Sequence, residues 1–111
     1  MRVLLCKQGE EARFVDVRNE LKELQAIVDG YIEVVPFFKN TVLVCNEEGK
    51  LRDDLKPNRF MTIGNRLDQI KGDFFICGTD CEEFSDVPTL LEPLLFSICK
   101  KPHFDKNGEP I

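Results

Sequence analysis

The stretch Tyr31-Ile32-Glu33-Val34-Val35-Pro36-Phe37-Phe38-Lys39-Asn40-Thr41-Val42-Leu43-Val44-Cys45 sets the architecture expected of this chain. Its β-branched and aromatic runs read as two strands. Proline cannot donate to a ladder, so Pro36 places the end of the first strand at a sheet edge or a bulge. Lys39-Asn40 is the turn between the strands, and two strands joined by so short a link run antiparallel. Asn46-Glu47-Glu48-Gly49 makes the next turn. Gly49 sits where a bulged hairpin wants glycine, and Lys50-Leu51-Arg52 begins another strand or an extended loop.

Upstream, residues 1–6 form a short apolar strand. Gly9 lies in a polar turn, and residues 12–17 read as the returning strand of a hairpin. The period then changes. Leu21, Leu24, Ile27 and Val28 recur at helical spacing with charged residues between them. Asn19 is placed to cap the first turn, and Gly30 to end the helix in the left-handed conformation. This amphipathic helix should lie on one face of the sheet.

Downstream, residues 53–66 read as irregular, punctuated by Pro57 and Gly64, and residues 66–70 as a short turn of helix. Residues 74–77 are a buried strand and residues 80–86 an acidic loop. A second helix spans 89–100, with Pro93 tolerated near its first turn. Its residues Leu90, Leu91, Leu94, Leu95, Phe96 and Ile98 make it apolar more than halfway round, which implies deep burial or half of a homo-oligomer interface. Residues 101–111 read as a flexible polar tail. The expected fold is therefore α+β: one domain over residues 1–100, with a largely antiparallel sheet, the amphipathic helix on one face and a second, C-terminal helix.

At 111 residues, one domain is the default. No apolar run reaches the length of a membrane span, and the first residues lack a signal-peptide core. Five cysteines, an odd number among apolar neighbours, suit reduced core residues better than a disulfide framework, so a cytoplasmic location is expected. The net charge of −5 argues against general nucleic-acid binding.

The charge is uneven. Between Lys50 and Lys71 six basic residues face three acidic ones, a net +3 in a background of −8. Asn58-Arg59 and Asn65-Arg66 each set an amide beside a guanidinium, whose forked donors suit phosphate or carboxylate. Phe60 or Tyr31 could offer a base a stacking face. A solvated basic loop paired with acidic surface accounts for the same pattern.

Catalytic and metal signals are thin. Phosphate-loop, dinucleotide, zinc-protease and nucleophile-elbow motifs are absent. Cys77-x3-Cys81 followed by Cys99-x3-His103 has the spacing of two chelating pairs, but Cys77 and Cys99 also lie in apolar runs. Cys99 and His103 would face each other on a helix, which alone is weak evidence for a nucleophilic pair. No metal, no cofactor and no catalytic residue is assigned.

Four separated runs resemble a family of small proteins known only as a domain of unknown function, found in Gram-positive bacteria, their phages and mobile elements. They are Gly30-Tyr31-Ile32-Glu33, Val44-Cys45-Asn46-Glu47-Glu48-Gly49-Lys50-Leu51, Asn58-Arg59 and Gly72-Asp73-Phe74-Phe75-Ile76-Cys77-Gly78. The resemblance covers residues 1–85 and implies a cytosolic α+β domain without established activity. Its polar signature falls on Glu33, Asn46, Glu48, Lys50, Asn58 and Arg59.

With the basic segment added, the candidate ligand-binding residues are Glu33, Asn46, Lys50, Asn58, Arg59 and Arg66. The expected function is a non-enzymatic phage or mobile-element protein that binds a small anionic ligand, such as a host signalling nucleotide, in the host cytoplasm. The alternatives are a protein-interaction module that inhibits a host enzyme through its acidic face and a small cysteine- or zinc-dependent enzyme.

Overall fold

Strand β4 (Thr41–Asn46) is buried at all six positions, because both of its faces are covered. In the computed structural model, which describes residues 1–111, it lies inside an antiparallel sheet. Five of its strands run in the order β2 (Arg13–Asp16), β1 (Arg2–Cys6), β7 (Phe74–Asp80), β4, β3 (Ile32–Phe38). The short β8 (Glu83–Ser85) pairs with β7 as well. Alternation sends the side chains of β4 and β7 into two cores. Val42, Val44, Phe75 and Cys77 join Val3 on one face. Leu43, Cys45, Phe74 and Ile76 join Leu4 and Cys6 on the other.

The first core is closed by α1 (Leu21–Val28), which buries Leu24 and Val28. Each such side chain is worth about 1.5–3 kcal/mol when removed from water. Both expected caps differ. Glu20 stands at the N-cap without a side-chain bond, while Asn19 donates instead to the Phe84 carbonyl at 3.0 Å. At the other end Asp29, not Gly30, takes the left-handed conformation (φ 61°).

The second core is closed by a separate two-stranded sheet, β5 (Pro57–Ile63) with β6 (Arg66–Lys71), and by α2 (Glu92–Cys99). Here the expectations from sequence need correction. Residues 57–63 are a strand rather than irregular, residues 66–70 are strand rather than helix, and Gly64 (φ 63°) opens the two-residue turn between them. Lys50 to Arg52 continues the turn after β4, with Leu51 and Arg52 both donating to the Glu48 carbonyl at 2.9 Å. The acidic loop is a tight hairpin in which Cys81 and Glu82 are left-handed.

A 3-10 turn (Thr89–Leu91) leads into α2, which buries Leu95 and Cys99. Leu90, Leu94 and Ile98 form an exposed stripe along the outer side, so the helix is neither deeply buried nor fully apolar in its packing. The residues expected to form a flexible tail fold back instead. Phe104 is buried and bridges to Pro110, and Asp105 accepts from the amides of Asn107 and Glu109. No helix is long and apolar enough to cross a membrane.

Candidate functional site

Glu33 on β3, Lys50 after β4 and Arg66 at the start of β6 meet on one groove of about 310 Å³. The groove lies where β6 passes over β4 and leaves β3 uncovered. Its walls are Val34, Val35 and Pro36 on one side and Asp68, Gln69, Ile70 and Lys71 on the other. Three cations and three carboxylates (Glu33, Glu47, Asp68) line it, so the expected basic site is a charge-balanced one.

Asp68 organises the cations. Its carboxylate meets Lys50 Nζ at 3.0 Å and Arg66 Nη2 at 3.9 Å. Lys71 Nζ donates to the Arg52 carbonyl at 2.8 Å. Glu33 has no cationic partner; it accepts from the Cys45 thiol at 3.7 Å. Burial, reinforced by Glu33, pushes the Cys45 thiol up to about 12, so it stays protonated and is a poor nucleophile.

The other three candidates serve the fold. Asn46 lines the groove, but its side chain is buried and spent: Nδ2 donates to the Val28 and Asp29 carbonyls, and Oδ1 accepts from Glu48 N at 2.7 Å. It caps the C-terminus of α1 from another strand. Arg52 assists there, donating to the Asp29 carbonyl at 2.6 Å and to its carboxylate at 2.9 Å.

Asn58 and Arg59 are fully buried, which removes them from any ligand contact. Asn58 Nδ2 donates to the carbonyls of Cys6 and Gly72, and its oxygen accepts from Arg59 Nη1. Arg59 Nε donates to Cys99 O at 2.9 Å and Nη2 to Glu10 O at 2.6 Å. The guanidinium satisfies main-chain carbonyls left over where β1, the following turn and α2 end, the need that in a helix terminus is met by caps. Burial pushes Arg59 below the ordinary arginine value.

Neither proposed stacking ring enters the groove. Phe60 packs on His103 and Phe104, with centroids 5.9 and 5.0 Å away. Tyr31 lines a smaller depression of about 250 Å³ beyond Asn46, with Gln25, Gly30, Glu48 and Arg52. The four residues weighed as zinc ligands do not converge. Cys77 and Cys99 lie in cores on opposite faces of the sheet, Cys81 is exposed, and His103 Nδ1 accepts from Phe60 N at 3.1 Å.

Sequence reasoning missed Asp68, Gln69 and Lys71, because residues 66–70 read as helical. Gly64-Asn65 between two alternating runs was the available sign of a hairpin.

The family model of a domain of unknown function, DUF3846, matches residues 1–95. The chain belongs to this family. No curated protein and no solved structure matches it. In this DUF3846 chain the runs that carry the resemblance are joints of the fold. Gly30 makes room for the Asn46 amide, Gly49 N donates to Asn46 O, and Gly72 O receives Asn58. The groove residues Arg66, Asp68 and Lys71 lie outside those runs but inside the matched segment of the DUF3846 model.

Proposed function

We propose that this chain is a non-enzymatic binding protein and that the groove between β3 and β6 is its binding site. The observation that carries the reading is the meeting of Glu33, Lys50, Arg66, Asp68 and Lys71, from three separate segments, on one concavity. Its volume is at the lower end of ligand sites, suited to a small molecule or part of a larger one.

Lys50 and Arg66 already hold the Asp68 carboxylate, so an acidic group on a ligand would compete for the same pair. An anionic ligand such as a nucleotide has the required chemistry. On the resemblance set out above, a phage or mobile-element protein of this kind would sequester a host signalling nucleotide. The non-catalytic reading is supported by the protonated state of Cys45 and by the position of His103, which does not line the groove.

The test is a thermal-shift screen of nucleoside mono-, di- and cyclic phosphates. A ligand at a hundred times its Kd adds about 2.7 kcal/mol to stability and raises Tm visibly. Lys50→Ala and Arg66→Ala should each reduce the shift. No shift across the panel removes the nucleotide from consideration.

A further inference from the structure

The layer that covers the Glu33 face of the main sheet consists of α2, β5 and β6, and it stops short of β3. Three observations say what is missing there.

The first is the direction of the β6 main chain. The two-residue turn makes Ile63 and Arg66 the closing hydrogen-bonded pair, and in an antiparallel ladder such pairs alternate with unbonded ones. Asp68 therefore bonds back to β5, and the amides and carbonyls of Leu67 and Gln69 point away from it. The pattern is confirmed on the opposite edge, where Phe60, paired with Gln69, turns its amide outward to His103 Nδ1. One edge of this small sheet is thus sealed by the C-terminal segment. The other, on the groove, has no strand beside it.

The second is the contrast with β3. Tyr31 O accepts from Glu47 N, so the main-chain groups of Ile32, Val34 and Pro36 are the ones that face outward. Pro36 has no amide to offer there, and a register shift follows it. Both features blunt an edge against pairing. No proline or bulge protects Leu67 to Gln69.

The third is the floor. Glu33 and Val35 point to the groove side of β3, two residues apart, the spacing at which a strand above presents its own inward side chains. Glu33 is the floor carboxylate without a cation.

We propose that the groove is an edge-pairing site for an extended polypeptide segment of a partner protein. The segment joins β6 as a third strand through Leu67 and Gln69 and lies across β3. It places a lysine or arginine over Glu33 and an apolar side chain, two residues away, over Val35. Main-chain bonds supply affinity and the alternating side chains supply selectivity. This rests on the reading of the groove as the binding site and changes the class of its occupant.

The experiment uses the full chain and an array of capped extended heptapeptides that vary Lys, Thr or Glu at one position and Val or Thr two positions away, in both orders. Binding is expected only for peptides that combine Lys with Val. It should be lost on N-methylation of one alternate set of peptide amides and not the other. It should weaken at least tenfold with Glu33→Gln, and amide exchange should slow at Leu67 and Gln69. Gln69→Pro removes the outward amide without touching the β5 ladder and should also abolish binding. An array without binders, or binding indifferent to both N-methylated sets, overturns the proposal. So does a dimer in sedimentation that Gln69→Pro dissolves, which would assign the edge to a second copy. Nucleotide-induced stabilisation without peptide binding overturns the edge pairing and leaves the groove as the binding site. Neither peptide nor nucleotide binding overturns both.

Discussion

Gly30 lies so close to Asn46 that a Cβ at position 30 would stand 2.7 Å from Asn46 Nδ2. The amide fills the space a side chain would take and caps α1 from a neighbouring strand. Gly30→Ala should therefore destabilise the protein by forcing this cap apart, and Asn46→Ala should cost about 1–3 kcal/mol by leaving the helix-end carbonyls unpaired. The double variant should cost less than the two single losses together, because both break one joint. Urea unfolding of the three variants measures this.

Arg59→Met keeps the unbranched stem of the side chain and removes its donors. It should cost about 3 kcal/mol, since the buried carbonyl of Cys99 and the half-buried one of Glu10 lose their partner. Arg66→Met, on an exposed residue, should change stability by no more than about 0.5 kcal/mol. Chemical denaturation separates the two arginines, which the sequence presents in matching Asn-Arg pairs.

Asp68→Asn should raise affinity for any anionic group in the groove, because Lys50 and Arg66 lose the carboxylate that now occupies them. Calorimetry with the best nucleotide or acidic probe checks the direction. Weaker binding in this variant would show that Asp68 positions the cations rather than competing for a ligand.

Burial raises the thiols of Cys45 and Cys77 to about 12 in the folded chain, against about 8.5 when unfolded. Between these values the unfolded state has released the proton and the folded state has kept it. Stability is therefore whole below about pH 8.5 and declines as pH rises toward about 12. Urea midpoints at pH 8 and pH 10 should differ in that sense, and the Cys45→Ala, Cys77→Ala double variant should flatten the slope.

Leu94 and Leu95 are neighbours on α2 with opposite surroundings. Leu95 is fully buried and Leu94 is 47% exposed. Leu95→Ala should cost about 2–5 kcal/mol and Leu94→Ala about 0.5 kcal/mol or less, as read from thermal or urea unfolding.

The central strands were legible because their side chains go into apolar cores on both sides, which leaves unbroken runs such as Thr41–Cys45 and Phe74–Cys77. The β5–β6 hairpin was legible only in its Gly64-Asn65 turn, because two of its buried residues are Asn58 and Arg59. Arginine is almost never fully buried, and nothing local shows that the ends of β1 and α2 leave carbonyls for it to satisfy. The same tertiary need hid the role of Asn46. Lys50 and Arg66 stood out in the basic segment and Glu33 in the family resemblance, but their meeting depends on β6 being a strand over β4.

The Asn58-Arg59 pair has a consequence for how the molecule comes apart. Its donors reach Cys6, Glu10, Gly72 and Cys99, segments that span most of the chain. Releasing α2 alone, or the hairpin alone, strands a buried guanidinium or its acceptors. Partial opening is therefore nearly as costly as complete opening. The N-terminal strand, the hairpin and the C-terminal helix should exchange their core amides together, as one cooperative unit that opens only when the whole domain unfolds.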